Sequence, residues 1–142
     1  MKTSARNQFN GIVSDLRIGA VNAEVHVSLA GGETVVASVT KDSVENLGIT
    51  VGLRVIALVK APQIIVVSDF GSYKVSARNQ LAGIVSEVKH GPVNAEIDIE
   101  LNGGEKIAAT VTNESVEALG LRKGQPATAV FKAGAVLLAV PS

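Results

Sequence analysis

The sequence has no cysteine and few aromatic residues, and its charges balance. Without cysteine, the chain has no disulfides, no thiolate metal sites and no cysteine catalysis. Aromatic residues make up 3% of the chain, and 13 Lys and Arg residues offset 13 Asp and Glu residues. A protein that binds single-stranded nucleic acid needs stacking platforms and a basic groove. The composition therefore argues against a nucleic-acid partner.

Long hydrophobic runs are also absent. No apolar stretch approaches the roughly 18 residues that span a bilayer. The chain turns polar at once, from Lys2 to Gln8, without the apolar stretch of a secretory signal. We therefore expect a cytoplasmic protein with no membrane partner.

What the chain does have is apolar β-branched residues and glycine. Apolar residues make up 46% of the chain, 14 residues are glycine, and the mean hydropathy is +0.33. This combination favours short strands joined by tight turns. Because such small domains have little interior, part of the apolar surface is expected to lie between domains or subunits.

The chain repeats itself at an offset of 72 residues. When residues 4–70 are laid on residues 76–142 without gaps, 30 of the 67 pairs are identical. The pentapeptide SARNQ occurs at 4–8 and again at 76–80, and the blocks GIVS, VNAE and GGE also recur. The sequence thus predicts two domains, at residues 1–69 and 74–142.

Each repeat is predicted to be mostly β. In the first, strands are expected at 10–18, 23–29, 34–39, 53–60 and 63–67, because apolar and polar residues alternate there between glycine turns. A short helix should follow the third strand, capped by Thr40 or Asp42 and ended by Gly48 in a left-handed conformation. This pattern predicts an all-β protein of two tandem OB-fold-like five-stranded barrels, each with a short helix.

Catalytic constellations are not found in the sequence. His26 and His90 do not correspond between the repeats, since their partners are Asp98 and Ile18, and both are expected to be surface strand or turn residues. No phosphate-binding glycine loop or nucleophile elbow is present. We expect no enzyme activity, no cofactor and no site for a bare metal cation.

The positions that both repeats keep include a set of hydrogen-bond donors: Ser4/Ser76, Arg6/Arg78, Ser43/Ser115 and Lys60/Lys132, with Thr40/Thr112 nearby. Arginine offers five donors in a planar fork, and lysine offers three on a compact charge. A helix start at Thr40–Ser43 would add unpaired N–H groups and a positive dipole end. The ligand that such a set fits is a small, fully deprotonated oxyanion.

Each donor also has a purely structural interpretation. Arg6 could be a surface residue at the start of a strand, and Ser43 could be a helix cap. Lys60 could be a lysine on an edge strand, where its charge prevents aggregation with other chains. Asn22, in the kept block VNAE, could meet an anion or a subunit axis, or it could fix a turn between two strands.

Together, the motifs TSARNQ, GxVNAE, VTxxSVxxLG and a late KA resemble the molbindin (Mop-domain) family in its tandem, cytoplasmic molybdate-binding form. The resemblance covers both halves of the chain. It implies an OB-like barrel in each repeat, a homotrimer, and molybdate or tungstate bound at domain and subunit interfaces for storage or homeostasis. The repeats depart from each other at Thr3/Val75 and Pro62/Gly134, and neither change removes a charged donor.

The resemblance also assigns the binding positions. They are Ser4, Ala5, Arg6, Thr40, Ser43, Lys60, Ser76, Ala77, Arg78, Thr112, Ser115 and Lys132, with a second anion site near the threefold axis implied for Asn22, Ala23, Asn94 and Ala95. The alternatives are a ligand-sensing module of a molybdate-responsive regulator and an OB-fold nucleic-acid-binding protein.

Overall fold

A computed structural model describes all residues, 1–142. The first repeat forms β1 Asn7–Ile18, β2 Asn22–Leu29, β3 Thr34–Thr40, α1 Lys41–Leu47, β4 Arg54–Val59, a 3₁₀ turn Ala61–Gln63 and β5 Ile65–Val67. The second forms β6 Asn79–His90, β7 Asn94–Leu101, β8 Lys106–Thr112, α2 Asn113–Leu119, β9 Pro126–Phe131, a 3₁₀ turn Ala133–Ala135 and β10 Leu137–Ala139.

The predicted five strands and one short helix in each repeat are confirmed, and the largest differences in the first repeat are at the starts of two strands. β1 begins at Asn7 rather than Asn10, because residues 7–12 pair with β4. The fifth strand begins at Ile65 rather than Gln63, because Ala61–Gln63 forms a 3₁₀ turn with proline near its start. Proline fixes φ near the value that such a turn uses.

The two repeats exchange their last strands. The strand order is β10-β4-β1-β2-β3 in one sheet and β5-β9-β6-β7-β8 in the other, so each sheet takes one edge strand from the other repeat. The compact units are accordingly Met1–Val59 with Lys132–Ser142, and Lys60–Phe131. The expectation that each barrel uses its own five strands is therefore wrong. Repeat periodicity predicts the strands but not which copy they pair with.

The long strand β1 is shared by two partners. Its first half pairs with β4 and its second half with β2, and a bulge lies between Val13 and Asp15. Gly11 is paired on both sides, and a Cβ there would lie 2.5 Å from Val27 Cγ1 and 2.7 Å from the Ser28 carbonyl oxygen. This close approach explains why glycine is kept at 11 and 83. The edge strands of this sheet, β3 and β10, contact each other, which gives the barrel-like curl.

Each helix has the predicted ends. Thr40 caps α1 through a hydrogen bond from the Ser43 N–H to its Oγ1, so the alternative cap, Asp42, is not used. Gly48 ends the helix at φ 66°, and Thr112 and Gly120 do the same for α2. Neither helix is long and apolar enough to cross a membrane.

Candidate functional site

The pentapeptide SARNQ divides into a structural part and a presented part. Asn7 and Asn79 are the two buried polar side chains of the chain, with 2% and 1% of their surface exposed. Gln8 Nε2 donates to the Ala5 carbonyl at 3.3 Å, and Gln80 Nε2 donates to the Ala77 carbonyl at 2.9 Å. The asparagine and glutamine therefore fix the strand start. The preceding serine and arginine stay exposed in both copies.

The strand register places the kept arginine and lysine near one end of a ladder. Asn7 pairs with Val59, so Arg6 comes one residue before the first pair of β1 and β4, and Lys60 follows the last residue of β4. In the second repeat Asn79 pairs with Phe131, with Arg78 and Lys132 in the same positions. No sequence pattern indicated that these residues, 54 positions apart, share a strand end. The β1–β4 register brings them to it.

The threonine and serine of each helix start form a directed pair. Thr40 Oγ1 accepts from the Ser43 N–H at 3.1 Å and donates its own proton to Ser43 Oγ at 2.8 Å. In the second repeat Thr112 Oγ1 accepts from the Ser115 N–H at 3.1 Å and donates to Ser115 Oγ at 2.9 Å. Since the threonine already donates to it, the serine hydroxyl is left with its own proton to give to a ligand.

The helix start offers fewer amide donors than the sequence suggested. The Ser43 N–H is taken by Thr40, and the Lys41 N–H donates to the Val21 carbonyl at 2.8 Å. Hydroxyl and charged side-chain donors thus carry more of any anion site here than helix amides do.

Asn22 and Asn94 are the first residues of the second strand of each repeat, directly after a turn. The Gly19 N–H donates to the Asn22 carbonyl at 2.8 Å, and Asn22 is the partner of Thr40 in the β2–β3 ladder. Its turn lines a hollow of about 370 Å³ together with Arg17, Glu24 and Ser38. These three residues are not among the predicted binding positions, although Glu24 is kept at 96 and Arg17 stays basic as Lys89.

The register thus sorts the predicted residues of a unit into two groups. The serine–arginine segment lies just before the first residue of β1. Asn22 and Thr40 lie near the other end of β1, because Ile18, its last residue, pairs with Ala23, and Asn22 pairs with Thr40. A strand of 12 residues is about 35 Å long along its path. An oxyanion needs its donors within about 3 Å of its oxygens.

The two histidines differ from each other. His26 lies on the partly exposed face of β2, with 18% of its side chain exposed, and its Nε2 is 2.6 Å from Glu24 Oε1. His90 ends β6 and is exposed, as expected. No cluster of three or more His, Cys, Asp or Glu side chains is arranged to hold a metal ion.

Comparisons with known proteins match this architecture. The family model described as "TOBE domain" matches residues 3–66 and 75–138. The chain is 44% identical over 140 residues to "Molybdenum transport protein ModE" of Herbaspirillum seropedicae, and 42% identical over 141 residues to "Molybdenum-pterin-binding protein MopA" of Rhodobacter capsulatus. Both matches cover 99% of this chain and 52% and 53% of those proteins, so the chain spans about half their length.

A solved structure matches over the full length. It is the cytoplasmic molybdate-binding protein ModG in a crystal form with molybdate bound, with 48% sequence identity and a TM-score of 0.96 over 99% of this chain and 100% of that one. The resemblance to tandem Mop-type proteins is thereby confirmed. The chain belongs to the TOBE-domain family and carries that domain twice.

Proposed function

We propose that this protein binds molybdate, and tungstate in the same sites, for intracellular storage or homeostasis of the oxyanion. The observation that carries the proposal is a set of hydrogen-bond donors that occurs in both units. In each unit a threonine orients a serine hydroxyl, and an arginine and a lysine lie at the same end of a pair of strands. The likeness to a molybdate-bound structure at 48% identity supports it. The chemistry needs only binding, so we propose no catalytic role.

The donor set favours an anion that carries no proton. Arginine and lysine have no acceptor, and the hydroxyls of Ser43 and Ser115 already accept from Thr40 and Thr112. Phosphate near neutral pH carries at least one proton, whose O–H would lack a partner here, at a cost of about 1–3 kcal/mol. Molybdate and tungstate carry none. Sulfate also carries none and is excluded only by its smaller size.

Thermal unfolding with matched anions tests this proposal. A ligand at 100 times its dissociation constant stabilises the folded state by about 2.7 kcal/mol. At equal ionic strength we expect a clear rise in Tm with molybdate or tungstate, a small rise with sulfate, and almost none with phosphate. Equal shifts with phosphate and molybdate would indicate a generic anion site and would contradict the proposal.

We further propose that the chain works as a homotrimer in the cytoplasm, with oxyanions bound where copies meet. Apolar side chains are exposed at the same positions in both repeats, next to the asparagine turns and on the exchanged strands: Val21 72%, Val93 71%, Ile65 62% and Leu137 65%. Paired exposure of this kind is typical of an interaction surface. The separation of the two donor groups along β1 supports completion of a site by a second copy.

Mixing two defective variants tests this assembly. One variant carries Arg6→Ala and Arg78→Ala, and the other carries Thr40→Ala and Thr112→Ala; each alone should bind molybdate weakly. If sites use both groups from different copies, oligomers refolded from the mixture recover part of the high-affinity binding in calorimetry. No recovery in verified mixed oligomers would contradict completion between copies.

Sedimentation should give a species of three 14.6 kDa chains, and a stable monomer at micromolar concentration would contradict the trimer.

A second candidate function is ligand sensing for a molybdate-responsive regulator. It is favoured by the relatives named "Transcriptional regulator ModE", one of them from Yersinia pestis with 34% identity over 140 residues. Sensing requires that the anion change a surface that another protein or domain reads. Hydrogen exchange with and without molybdate separates the two functions, because storage predicts protection confined to the sites and sensing predicts changes beyond them.

A further inference from the structure

The second unit contains a basic hollow that takes no part in the proposed oxyanion sites. It measures about 560 Å³ and lies between the end of β6 and the turn after α2. Three basic side chains line it, from His90, Arg122 and Lys123, beside the apolar Val88 and Leu121. Neither the Arg122 guanidinium nor the Lys123 ammonium is held in an ion pair. The carboxylate of Glu87, which also lines the hollow, lies 3.8 Å from Lys89 Nζ.

The first repeat shows that the fold does not require these charges. The residues that correspond to His90, Arg122 and Lys123 are Ile18, Thr50 and Val51. The backbone is nevertheless the same, since Gly52 and Gly124 have φ 95° and 92° and donate at 2.8 Å to the carbonyls of Val13 and Val85. Arg122 and Lys123 thus lie on a turn that folds equally well without them, and His90 lies beside them at the end of β6.

Hydrogen bonds fix the backbone of the turn that carries Arg122 and the imidazole ring of His90. The Gln125 N–H donates to the Arg122 carbonyl at 3.1 Å, and Gln125 Oε1 accepts from the Arg122 N–H at 3.3 Å. Leu53, the counterpart of Gln125, lacks a side chain for the second bond. On the other wall, Asn113 Nδ2 donates to the Gly91 carbonyl at 2.9 Å, which leaves Asn113 Oδ1 to accept from His90 Nδ1 at 3.2 Å. His90 Nε2 therefore remains available to a ligand.

We propose that this hollow binds a small organic phosphate monoester. Arginine and lysine side by side suit a phosphate, which arginine can grip through two parallel hydrogen bonds. The volume falls in the range of small-molecule sites, and the apolar wall at Val88 and Leu121 fits an organic group rather than a bare ion. A single hollow of this size offers no extended track for an acidic peptide.

Binding of two phosphate esters to the whole protein, saturated with molybdate beforehand, tests this site. The probes are adenosine 5′-monophosphate and riboflavin 5′-phosphate, with adenosine and inorganic phosphate as the matched fragments. We expect at least one ester to bind at least about 10-fold more tightly than either fragment, since phosphate and organic group both contribute. If neither ester binds more tightly than inorganic phosphate, the proposal is wrong.

Matched variants locate the binding. Arg122→Thr with Lys123→Val installs the residues that the first repeat already uses in this turn, so the fold should persist; ester binding should fall by at least about 30-fold. Lys2→Val with Lys74→Thr removes the same charge from exposed positions elsewhere and should leave ester binding unchanged. Equal loss in both pairs, or none in the first, would overturn the proposed site. Molybdate binding measured in parallel should not change in either pair, which separates this proposal from the oxyanion function.

Discussion

At the scale of single residues, the repeated pentapeptide combines presentation with anchorage. Its arginine is exposed just before the strand, whereas its asparagine is buried and its glutamine binds the carbonyl two residues before the asparagine. Only the first of these has a role that a ligand would explain. The sequence could not distinguish the binding role from the structural role, because a residue that both repeats keep looks the same whether it binds a ligand or fixes the start of a strand.

Replacement of Arg6 by alanine should weaken molybdate binding by roughly 10–100-fold at its sites, because a charged hydrogen bond contributes about 1.5–3 kcal/mol. Isothermal titration calorimetry measures the effect. The matched control is Arg54→Ala, which removes an exposed arginine on β4 outside the proposed site. Unchanged affinity in the Arg6 variant, or an equal loss in the control, would show that the arginine assignment is wrong.

Replacement of Asn79 by alanine should act on stability. A buried amide removed from its hydrogen bonds leaves its partners unsatisfied, so the free energy of unfolding should fall by about 1–3 kcal/mol. Asn10→Ala, at an exposed position of β1, should change it by less than about 0.5 kcal/mol. Urea denaturation without molybdate compares the two. Similar values for both variants would contradict a structural role for Asn79.

At the scale of elements, each short helix is defined by its two ends. Helices of seven residues are too short to persist by propensity, so the threonine cap, the left-handed glycine and the buried Val44 or Val116 must hold them. The cap threonine also orients the serine hydroxyl. One residue therefore serves helix stability and the proposed ligand site together, while the glycine serves only the helix.

Replacement of Gly48 by alanine should separate these two effects. A Cβ at Gly48 meets no atom within 4 Å, so its cost is that of a left-handed backbone, about 1–2 kcal/mol of unfolding free energy. Molybdate affinity should remain unchanged. Gly134→Ala is the matched control, because Gly134 has equal open space without a positive φ and should cost little. Thermal unfolding and calorimetry measure both properties, and a large loss of affinity in Gly48→Ala would argue against this separation.

At the scale of the whole molecule, the exchange of β5 and β10 makes the repeats interdependent. Each sheet needs a strand that the other repeat encodes, through the pairs β10–β4 and β5–β9. Neither sequence repeat, taken alone, contains a complete sheet of this arrangement. Stability is therefore a property of the joined chain.

Truncation after Ala135 should destabilise the two units unequally. It removes β10 and leaves the β4 edge without the partners of Ile56, Ala57 and Leu58. Hydrogen exchange of β4 amides should accelerate by at least about 10-fold, a local loss of about 1.4 kcal/mol. β9 keeps its partner β5 and is the internal control. Equal acceleration in β9, or none in β4, would contradict this division.

The sequence by itself determined the repeat, the strand and helix order, and the donors kept in both copies. These follow from local causes: period-two alternation, turn glycines, a threonine cap, and a direct comparison of the chain with itself. The helix end at Gly48 was predicted to the residue, and the start was narrowed to Thr40 or Asp42, because capping depends on side chains within one turn. The family also followed, since its motifs recur in both halves.

Only the tertiary structure decided which strands pair and which donors share a strand end. The exchange of β5 and β10 is invisible to periodicity, because two similar repeats offer two nearly equivalent partners for each edge. The approach of Arg6 and Lys60 to one ladder end depends on the β1–β4 register, and the hollow at His90, Arg122 and Lys123 depends on a strand end meeting a turn. These are long-range contacts, and no local pattern encodes them.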